Sequence, residues 1–349
     1  MDSLTQRLKA KARMLGFHAA GVAPARPLER AAAALRDRTE RGLPRGYGFA
    51  PGRKAKFTDP GRVLAGAKSV VAVALSYFFR ATCADCEDFT PGSPGPRGRV
   101  ARFAWGSDYH KALERRLASL AEWLREESGC ESVACADTGP LLDRAAARQA
   151  GIGWYGKNCA LIIPRYGSWV VLGELVTTAE LEPDEPRDTD LCGSCGLCMK
   201  ACPTGAIIEP YVIDANRCVS HLTQMKGSAP PDLREMIGDR VYGCDVCQDV
   251  CPQNRNALPT DAEEFAHSRP PGRRPALLPL LAMTGAEFEE SITSNTMAWI
   301  GRTRLRRNAL VAIGNAGDPE TIPALVEAQR DPDPVIRAHA AWAMGKVEC

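Results

Sequence analysis

Residues 191–203 read LCGSCGLCMKACP, and residues 242–252 read YGCDVCQDVCP. The first stretch spaces four cysteines as C-x2-C-x2-C-x3-C and follows the last one with a proline. The second stretch repeats the last three positions of this spacing, again followed by proline, but Val241 stands where its first cysteine would be. A cysteine from elsewhere in the chain is therefore needed to complete the second set.

Cysteine usage in the whole chain favours metal or redox chemistry. The 349 residues include 14 cysteines, and eight of these lie between Cys192 and Cys251. The N-terminal stretch MDSLTQRLKAKARMLG has neither the apolar core of a signal peptide nor a twin-arginine pair, so we expect a cytoplasmic protein. Because disulfides are rare in that compartment, the cysteine-rich segment is better explained by metal ligands.

The spacing matches that of bacterial ferredoxins that carry two [4Fe-4S] clusters. Cys218 is the only other cysteine of the segment and completes eight thiolates, four for each cluster. Because the fourth cysteine of each run binds the other cluster in such proteins, the sequence predicts two ligand sets. These are Cys192, Cys195, Cys198 and Cys251 for one cluster and Cys202, Cys218, Cys244 and Cys247 for the other. Zinc also binds four thiolates, but zinc sites rarely show this triple spacing and terminal Cys-Pro.

Two such clusters form an electron-transfer path, and neither has a free ligand position for a substrate. The reaction must therefore occur elsewhere in the chain. The remaining cysteines are expected to be free thiols without metal. They are Cys83, Cys86, Cys130, Cys135, Cys159 and Cys349.

Residues 1–180 alternate helical and strand patterns, which predicts an N-terminal mixed α/β domain around a mixed sheet. Residues 108–128 have the apolar spacing of a helix, and the valine-rich stretches 69–77 and 169–176 predict buried strands. The longest apolar stretch, 69–79, is too short to span a bilayer, so no membrane association is expected. Lys and Arg total 44 against 42 Asp and Glu, so nucleic acid would have to bind through local basic patches.

Two proline-containing breaks divide the chain into three units, residues 1–180, 181–268 and 276–349. The last unit repeats a pattern after 31 residues, starting from Arg306, Ala309, Ala312 and Gly314. This period suits helical hairpins of the HEAT type, and two repeats are too few to be stable alone, so the unit should pack on the rest of the chain. The fold class predicted is α+β: a mixed α/β domain, a ferredoxin-like two-cluster module and a HEAT-like helical repeat.

Several motifs outside the cysteine runs match one known family. They are GSDYHK at 106–111, DTGP at 137–140, AGIGWYGKN at 150–158, GSWVVLGE at 167–174 and RRNALVAIGN at 306–315. With the cysteine runs, they make the chain resemble the epoxyqueuosine reductase family over nearly its whole length. One stretch departs from the family pattern: CVSHLTQMKG at 218–227 is one residue shorter and lacks a glutamate, which puts recognition of the modified base in doubt.

The resemblance implies a cobalamin between the N-terminal domain and the cysteine module, with Asp137 as the proton donor. A carboxyl beside an apolar corrin face would have a raised pKa and could hold a proton near neutral pH. The alternative is that Asp137, followed by Pro140, only starts a helix. The same resemblance gives Asp108 and His110 supporting roles at the active site. It also implies further cobalamin neighbours, namely Arg53, Cys159, Ser168, Glu174, Ser220 and Asp245.

The implied substrate is tRNA with epoxyqueuosine at the wobble position of the anticodon. An external low-potential donor of the flavodoxin or ferredoxin type would pass electrons through the clusters to cobalamin, and the epoxide oxygen would leave as water. We expect a monomer. Two basic clusters could bind tRNA phosphates or be ordinary solvated surface. They consist of Arg302, Arg304, Arg306 and Arg307, and of Arg53, Lys54 and Lys56.

Two other functions remain open. Reductive dehalogenases combine cobalamin with the same kind of ferredoxin module, but respiratory members usually carry a twin-arginine export signal, and a HEAT-like unit suits a macromolecular substrate. A ferredoxin-type electron carrier would need neither Asp137 nor cobalamin, although carriers seldom have so long a segment ahead of their clusters.

Overall fold

The computed structural model describes residues 2–43, 58–79, 95–137, 139–187, 190–265 and 271–348. Some residues singled out above lie outside this part, namely Arg53, Lys54, Lys56, Cys83, Cys86 and Cys349. The helices are α1 (Leu4–Met14), α2 (Glu29–Glu40), α3 (Tyr109–Ser128), α4 (Asp143–Gln149), α5 (Leu197–Ala201), α6 (Val219–Gln224), α7 (Arg234–Ile237), α8 (Val246–Asp249), α9 (Leu277–Ala282), α10 (Gly285–Ser291), α11 (Gly301–Ala316), α12 (Ile322–Ala328) and α13 (Pro334–Val347). The strands are β1 (Ala19–Pro24), β2 (Ser69–Ser76), β3 (Arg99–Val100), β4 (Ser132–Ala136), β5 (Trp154–Tyr155), β6 (Leu161–Ile162), β7 (Val170–Thr177), β8 (Ile207–Glu209), β9 (Val212–Ile213) and β10 (Arg240–Tyr242). Within the described ranges, no helix is both long and apolar enough to cross a bilayer.

The N-terminal domain is built on a four-stranded sheet with the order β1-β2-β7-β4. All its neighbouring strands are antiparallel, so the α+β class is confirmed but the predicted mixed sheet is wrong. Every residue of β2 is buried, because helices cover both faces of the sheet. Leu113 and Leu117 of α3 share one core with Val71, and Ala147 of α4 shares the opposite core with Ala72.

Helix α3 confirms the predicted helix at residues 108–128. Its apolar side chains recur at three and four and form one buried face. The Asp108 side chain caps the first turn by accepting from the His110 N–H at 3.1 Å. Gly129 ends the helix with a left-handed φ of 68°, which glycine adopts without strain. The cap fixes the backbone of Tyr109 and His110 at one end of the sheet.

The cysteine module and the C-terminal helices share a strand pair and a hydrophobic core with the N-terminal domain. Strand β10 pairs in parallel with β3, and Val100 and Val241 from this ladder lie in one core with residues of α9, α11 and α13. The HEAT-like unit therefore packs on the rest of the chain, as the sequence predicts. A small separate core of the cysteine module, around Leu222 and Ile237, also takes in Val311 of α11.

Arg307 holds these two units together from within the protein. Its guanidinium is fully buried and donates to the carbonyls of Leu222 at 2.9 Å, Met225 at 2.8 Å and Gly227 at 2.6 Å. Arg306 donates to Asp331 at 2.7 Å, and both side chains are nearly buried. The suggestion that these two arginines bind tRNA phosphates is therefore wrong, because their donors are already used inside the protein.

Replacement of Arg307 by alanine should destabilise the protein by about 3 kcal/mol or more, because several buried carbonyls lose their donor. Thermal melting of the cluster-loaded protein measures this loss. Arg330→Ala is the matched control, since Arg330 is an exposed arginine of the same unit. Equal melting temperatures for the two variants would show that the buried guanidinium contributes no stability.

Candidate active site

Asp137 follows the last residue of β4 in a backbone conformation that non-glycine residues seldom adopt. Its φ is 39°, in the left-handed region, and such strain often marks a functional site. The side chain is 54% exposed, and its Oδ2 lies 3.5 Å from Nε2 of His110. The Tyr109 hydroxyl donates to the same oxygen. Asp137 does not cap a helix, because α4 starts at Asp143 with Leu142 as its N-cap.

His110 lies between two carboxylates. Its Nδ1 is 2.7 Å from Asp108 Oδ1, and its ring stacks on Tyr109 with centroids 4.1 Å apart. Partial burial favours the neutral ring, but the hydrogen bonds and charges of Asp108 and Asp137 outweigh it and raise the pKa of His110 to about 9. The imidazole is therefore protonated at neutral pH.

Without a corrin beside it, the pKa of Asp137 is lowered, and the raised pKa expected next to a bound corrin face stays a prediction. Burial favours its protonated form, yet hydrogen bonds from His110 and Tyr109 and the charge of His110 stabilise the carboxylate more. The net effect lowers the pKa of Asp137 below its ordinary value. The site thus stores its proton on His110, next to Asp137.

Two carboxyl groups with raised pKa values, those of Glu174 and Asp143, lie in the interior of the N-terminal domain. Glu174 is 0% exposed and sits opposite Cys135 in the sheet. Both of its oxygens, and Oδ1 of Asp143, find no donor among the described residues. Burial and the mutual repulsion of the two carboxyls raise the pKa of Glu174 well above its ordinary value, and burial raises that of Asp143. The buried environment therefore favours the protonated form of Glu174 and disfavours ionisation of both carboxyls at once.

Arg144 and Tyr109 were not singled out from the sequence as site residues. Arg144 donates to the Cys159 carbonyl at 3.1 Å, and its charge acts on both Asp137 and Cys218. It therefore lies between the acid group and the cysteine module. Tyr109 stands inside the GSDYHK motif, but only the fold shows that its hydroxyl faces Asp137.

Two of the other predicted cobalamin neighbours, Ser168 and Asp245, lie near Tyr77 and Gln248 at the junction with the cysteine module. Ser168 bonds the cysteine module through Gln248 Oε1, at 3.0 Å from its Oγ. Asp245 Oδ2 accepts from the Arg102 N–H at 2.7 Å, and burial raises the pKa of Asp245 to about 7. Ser220 accepts from Gln224 within α6. Cys159 is buried behind Arg144, and Glu174 is enclosed under α4, so neither presents its side chain to an open surface.

The cysteines of the module form two neighbouring groups. Cys251 interacts electrostatically with Cys192 and Cys195, and Cys198 with Cys192 and Cys251. Separately, Cys218 interacts with Cys202, Cys244 with Cys218, and Cys247 with both Cys244 and Cys218. Cys247 also interacts with Cys198, so the groups adjoin. Each group contains the four sulfurs that the spacing assigns to one cluster.

The geometry of the sulfurs bears on the choice between zinc and iron-sulfur. Zinc needs its four ligands at about 2.3 Å from one ion. In the described part of the chain, no three His, Cys, Asp or Glu side chains converge enough to hold a single metal ion. A cubane cluster spreads its four thiolates over four separate irons. The residues present therefore fit [4Fe-4S] clusters better than zinc.

One loop connects the N-terminal domain to both sulfur groups. Lys157 Nζ donates to the Cys195 carbonyl at 3.0 Å and to that of Gly193. The neighbouring Asn158 donates through Nδ2 to the Cys247 carbonyl at 3.4 Å. The family motif at 150–158 is thus a structural bridge between the sheet and the two groups of cysteines.

A cavity of about 340 Å³ lies on another side of the junction, against Cys251. Phe78, Trp169 and Arg102 line it, and the Arg102 guanidinium lies 5.1 Å from the Trp169 ring. Nε1 of Trp169 and Oδ1 of Asp245 are buried without partners among the described residues. These unpaired polar atoms at the junction suit a ligand with many amide groups, as a corrin has.

The variant Glu174→Gln should flatten the pH dependence of stability. A carboxyl whose pKa is raised by folding stabilises the protein at low pH, and this stabilisation is lost as pH rises toward the folded pKa. The free energy of unfolding of the wild type should therefore fall by up to about 1.4 kcal/mol per pH unit because of this proton, and that of the variant should fall less. Thermal melting measured upward from the ordinary pKa of 4.5 follows this loss, with exposed Glu290→Gln as control. An unchanged slope in Glu174→Gln would count against a raised pKa of Glu174.

Sequence profiles of three families match separate parts of the chain. The profile described as epoxyqueuosine reductase QueG, DUF1730, matches residues 58–138. The 4Fe-4S double cluster binding domain matches residues 191–254, and HEAT repeats match residues 301–348. Each match falls in the unit where the sequence predicts that chemistry or fold.

Relatives and solved structures agree with these profiles. The chain is 38% identical over 352 residues to the epoxyqueuosine reductase of Bacillus anthracis, covering 99% of this chain and 90% of that protein. It is 38% identical over 292 residues to that of Escherichia coli K12, covering 82% and 75%.

Two solved structures share the fold over 99% of this chain and 90% of theirs. An epoxyqueuosine reductase with an epoxyqueuosine-modified tRNA-Tyr stem loop has a TM-score of 0.90 at 37% identity. One from Bacillus subtilis, with its aspartate-bearing catalytic loop swung out of the active site, has a TM-score of 0.88 at 36% identity. The resemblance seen in the motifs is confirmed, and the chain belongs to the epoxyqueuosine reductase family.

Proposed function

We propose that this protein reduces epoxyqueuosine in tRNA to queuosine, using electrons delivered by two [4Fe-4S] clusters. The observation that carries the proposal is the meeting of Asp137, Arg144 and the loop at 153–158 beside both groups of cysteines. Relatives of this name span nearly the whole chain, and a similar structure holds a modified tRNA stem loop. The dehalogenase and electron-carrier alternatives are not favoured by these relatives.

The reaction consumes two electrons and two protons. Both C–O bonds of the epoxide break, the oxygen leaves as water, and a C=C bond forms between the two ring carbons. The protein must therefore supply protons at the substrate oxygen, and the electrons must arrive from the cysteine module. A proton-holding group near the clusters meets both needs.

Asp137 would give a proton to the oxygen and His110 would replace it. The imidazolium Nε2 lies 3.5 Å from Oδ2 of Asp137, and Asp108 holds the other ring nitrogen. When a bound nucleotide covers the exposed half of Asp137, the loss of water favours its protonated form. Proton transfer from His110 to Asp137 is then favoured at the moment when substrate is present. Tyr109 keeps Oδ2 oriented throughout.

We place the cobalamin implied by the family at the junction between the N-terminal domain and the cysteine module. Asp245 Oδ1 and Trp169 Nε1, which are unpaired in the described part of the protein, would hydrogen-bond its amide side chains. When bound, a cobalamin supplies the low-potential cobalt centre that carries out reductive bond cleavage. The residues named above position the nucleotide, exclude water and deliver protons.

The two groups of cysteines would hold the clusters in the pairing given by the sequence. Set one is Cys192, Cys195, Cys198 and Cys251, and set two is Cys202, Cys218, Cys244 and Cys247. We further propose a monomeric, cytoplasmic protein that receives its electrons from a small flavodoxin or ferredoxin. The exposed Leu191 and Leu197, which flank Cys192 and Cys198, leave set one open to such a donor.

Asp137→Asn should abolish conversion of epoxyqueuosine to queuosine, with a rate loss of at least about 100-fold, because asparagine cannot donate an acidic proton. The measurement is mass spectrometry of nucleosides from modified tRNA after anaerobic incubation with cobalamin and a low-potential reductant. Asp232→Asn, at an exposed surface aspartate, is the control. A variant with normal clusters and normal rate would remove Asp137 from the mechanism.

Cys218→Ala should lower the iron content from about eight to about four atoms per chain, since one cluster loses one of its four thiolates. Cys130→Ala is the matched control, because Cys130 is a half-buried cysteine outside both sets. Iron and sulfide analysis after reconstitution gives the count, and electron paramagnetic resonance of the reduced protein identifies the surviving cluster. Full iron content in Cys218→Ala would exclude this cysteine as a ligand.

A further inference from the structure

Trp299 is an exposed aromatic side chain that nothing in the proposed chemistry uses. It lies in the turn of residues 296–300, just before α11, and is 58% exposed. Among the large apolar side chains exposed in the described part of the chain, it is the only aromatic one.

The indole ring is held in one orientation. Its Nε1 donates to the Tyr242 hydroxyl at 2.9 Å. The Arg304 guanidinium lies 5.2 Å from the ring centroid and is itself fixed by bonds to the carbonyls of Gln224 at 2.9 Å and Trp299 at 3.1 Å. One ring face and one ring edge are therefore occupied, and the opposite face is left for a ligand. A rigid ring loses little entropy when something stacks on it.

A continuous series of aromatic contacts leads from Trp299 to the candidate acid group. Tyr242 lies 5.7 Å from Phe103, and Phe103 lies 6.1 Å from Tyr109, measured between ring centroids. The Tyr109 hydroxyl in turn bonds Asp137. The rings of Tyr242, Phe103 and Tyr109 thus connect Trp299 to Asp137 of the candidate active site.

We propose that Trp299, backed by Arg304, is a stacking platform for an unpaired RNA base adjacent to the nucleotide that enters the active site. The inference rests on the proposed function. An enzyme that acts on a base must take it out of the stack, which leaves the neighbouring bases without partners. Aromatic rings and arginine planes are the usual supports for such bases, and they act with little dependence on sequence.

The charge around the platform suits RNA. Residues 301–317 contain no acidic side chain, and Arg302 and Arg304 remain partly exposed while Arg306 and Arg307 serve inside the protein. The platform therefore carries a local positive charge although the chain as a whole is nearly neutral. A protein partner is the competing occupant, and the experiment below separates the two.

The test measures binding of an unmodified anticodon stem-loop RNA to the cluster-loaded protein by fluorescence anisotropy. Trp299→Ala should raise Kd about 5- to 100-fold, the range of one base–aromatic stack. The Kd of Trp299→Phe should stay within about threefold of the wild-type Kd, because phenylalanine keeps an aromatic ring. Both variants lose the hydrogen bond to Tyr242. Phenylalanine and alanine variants with equally weak binding would attribute the loss to that hydrogen bond and overturn the platform.

An abasic substitution in the RNA identifies the stacked base. With the loop base on either side of the wobble position removed in turn, one of the two RNAs should bind wild type and Trp299→Ala equally. The proposal would be overturned if Trp299→Ala raised Kd for both abasic RNAs, or if it left Kd for the complete loop unchanged. Trp299 would then be assigned to the binding of a protein partner.

These binding results are independent of catalysis. If the wild type converts epoxyqueuosine-containing tRNA but RNA binding does not depend on Trp299, the stacking platform is contradicted and the proposed reaction is not. Trp299-dependent binding without any conversion contradicts the proposed reaction and leaves the platform in place. The absorbance of the clusters and the melting temperature of each variant show that it is folded.

Discussion

The cysteine module lacks a core large enough to hold its own shape, and the rest of the structure is arranged to hold it. Its separate apolar core centres on Leu222, Leu233 and Ile237 and is completed by Val311 from another unit. From the N-terminal side it is held by Lys157 and the loop around it. From the C-terminal side it is held by the buried guanidinium of Arg307. Small domains of this kind usually need additional stabilisation, and here apolar packing and hydrogen bonds from the two neighbouring units supply it.

The proton chemistry follows from two different environments for carboxyl groups in one domain. Glu174 is enclosed, so burial favours its neutral form, whereas Asp137 lies beside a cationic imidazole that favours its charged form. The interior of the sheet therefore favours the neutral form of one carboxyl, and its edge favours the charged form of another. Separation of pKa values by environment is how acid and base roles are divided among chemically identical groups.

Patterns that depend on neighbours in sequence were predictable, and contacts that depend on distant residues were not. The cysteine spacing, the helix ending at Ser128 and the packed C-terminal repeat were all evident, because spacing and periodicity are local properties. The antiparallel direction of the strands could not be predicted, because it depends on which strands pair in the folded sheet. Likewise, the charge that lowers the pKa of Asp137 in the ligand-free protein comes from His110, 27 positions earlier, so the DTGP motif alone could not indicate it. Arg307 looked like a surface cation until the carbonyls of α6 and the turn after it were placed around it.

The parallel pairing of β3 with β10 has a consequence for the order in which this protein is made on the ribosome. Its two strands are separated by about 140 residues, so β3 must wait without a partner while the cysteine module is synthesised. The carbonyls of Leu222 and Gly227 find their donor later still, because Arg307 follows them by 85 and 80 residues. The N-terminal domain therefore completes its contacts only after the cysteine module and α11 have been synthesised.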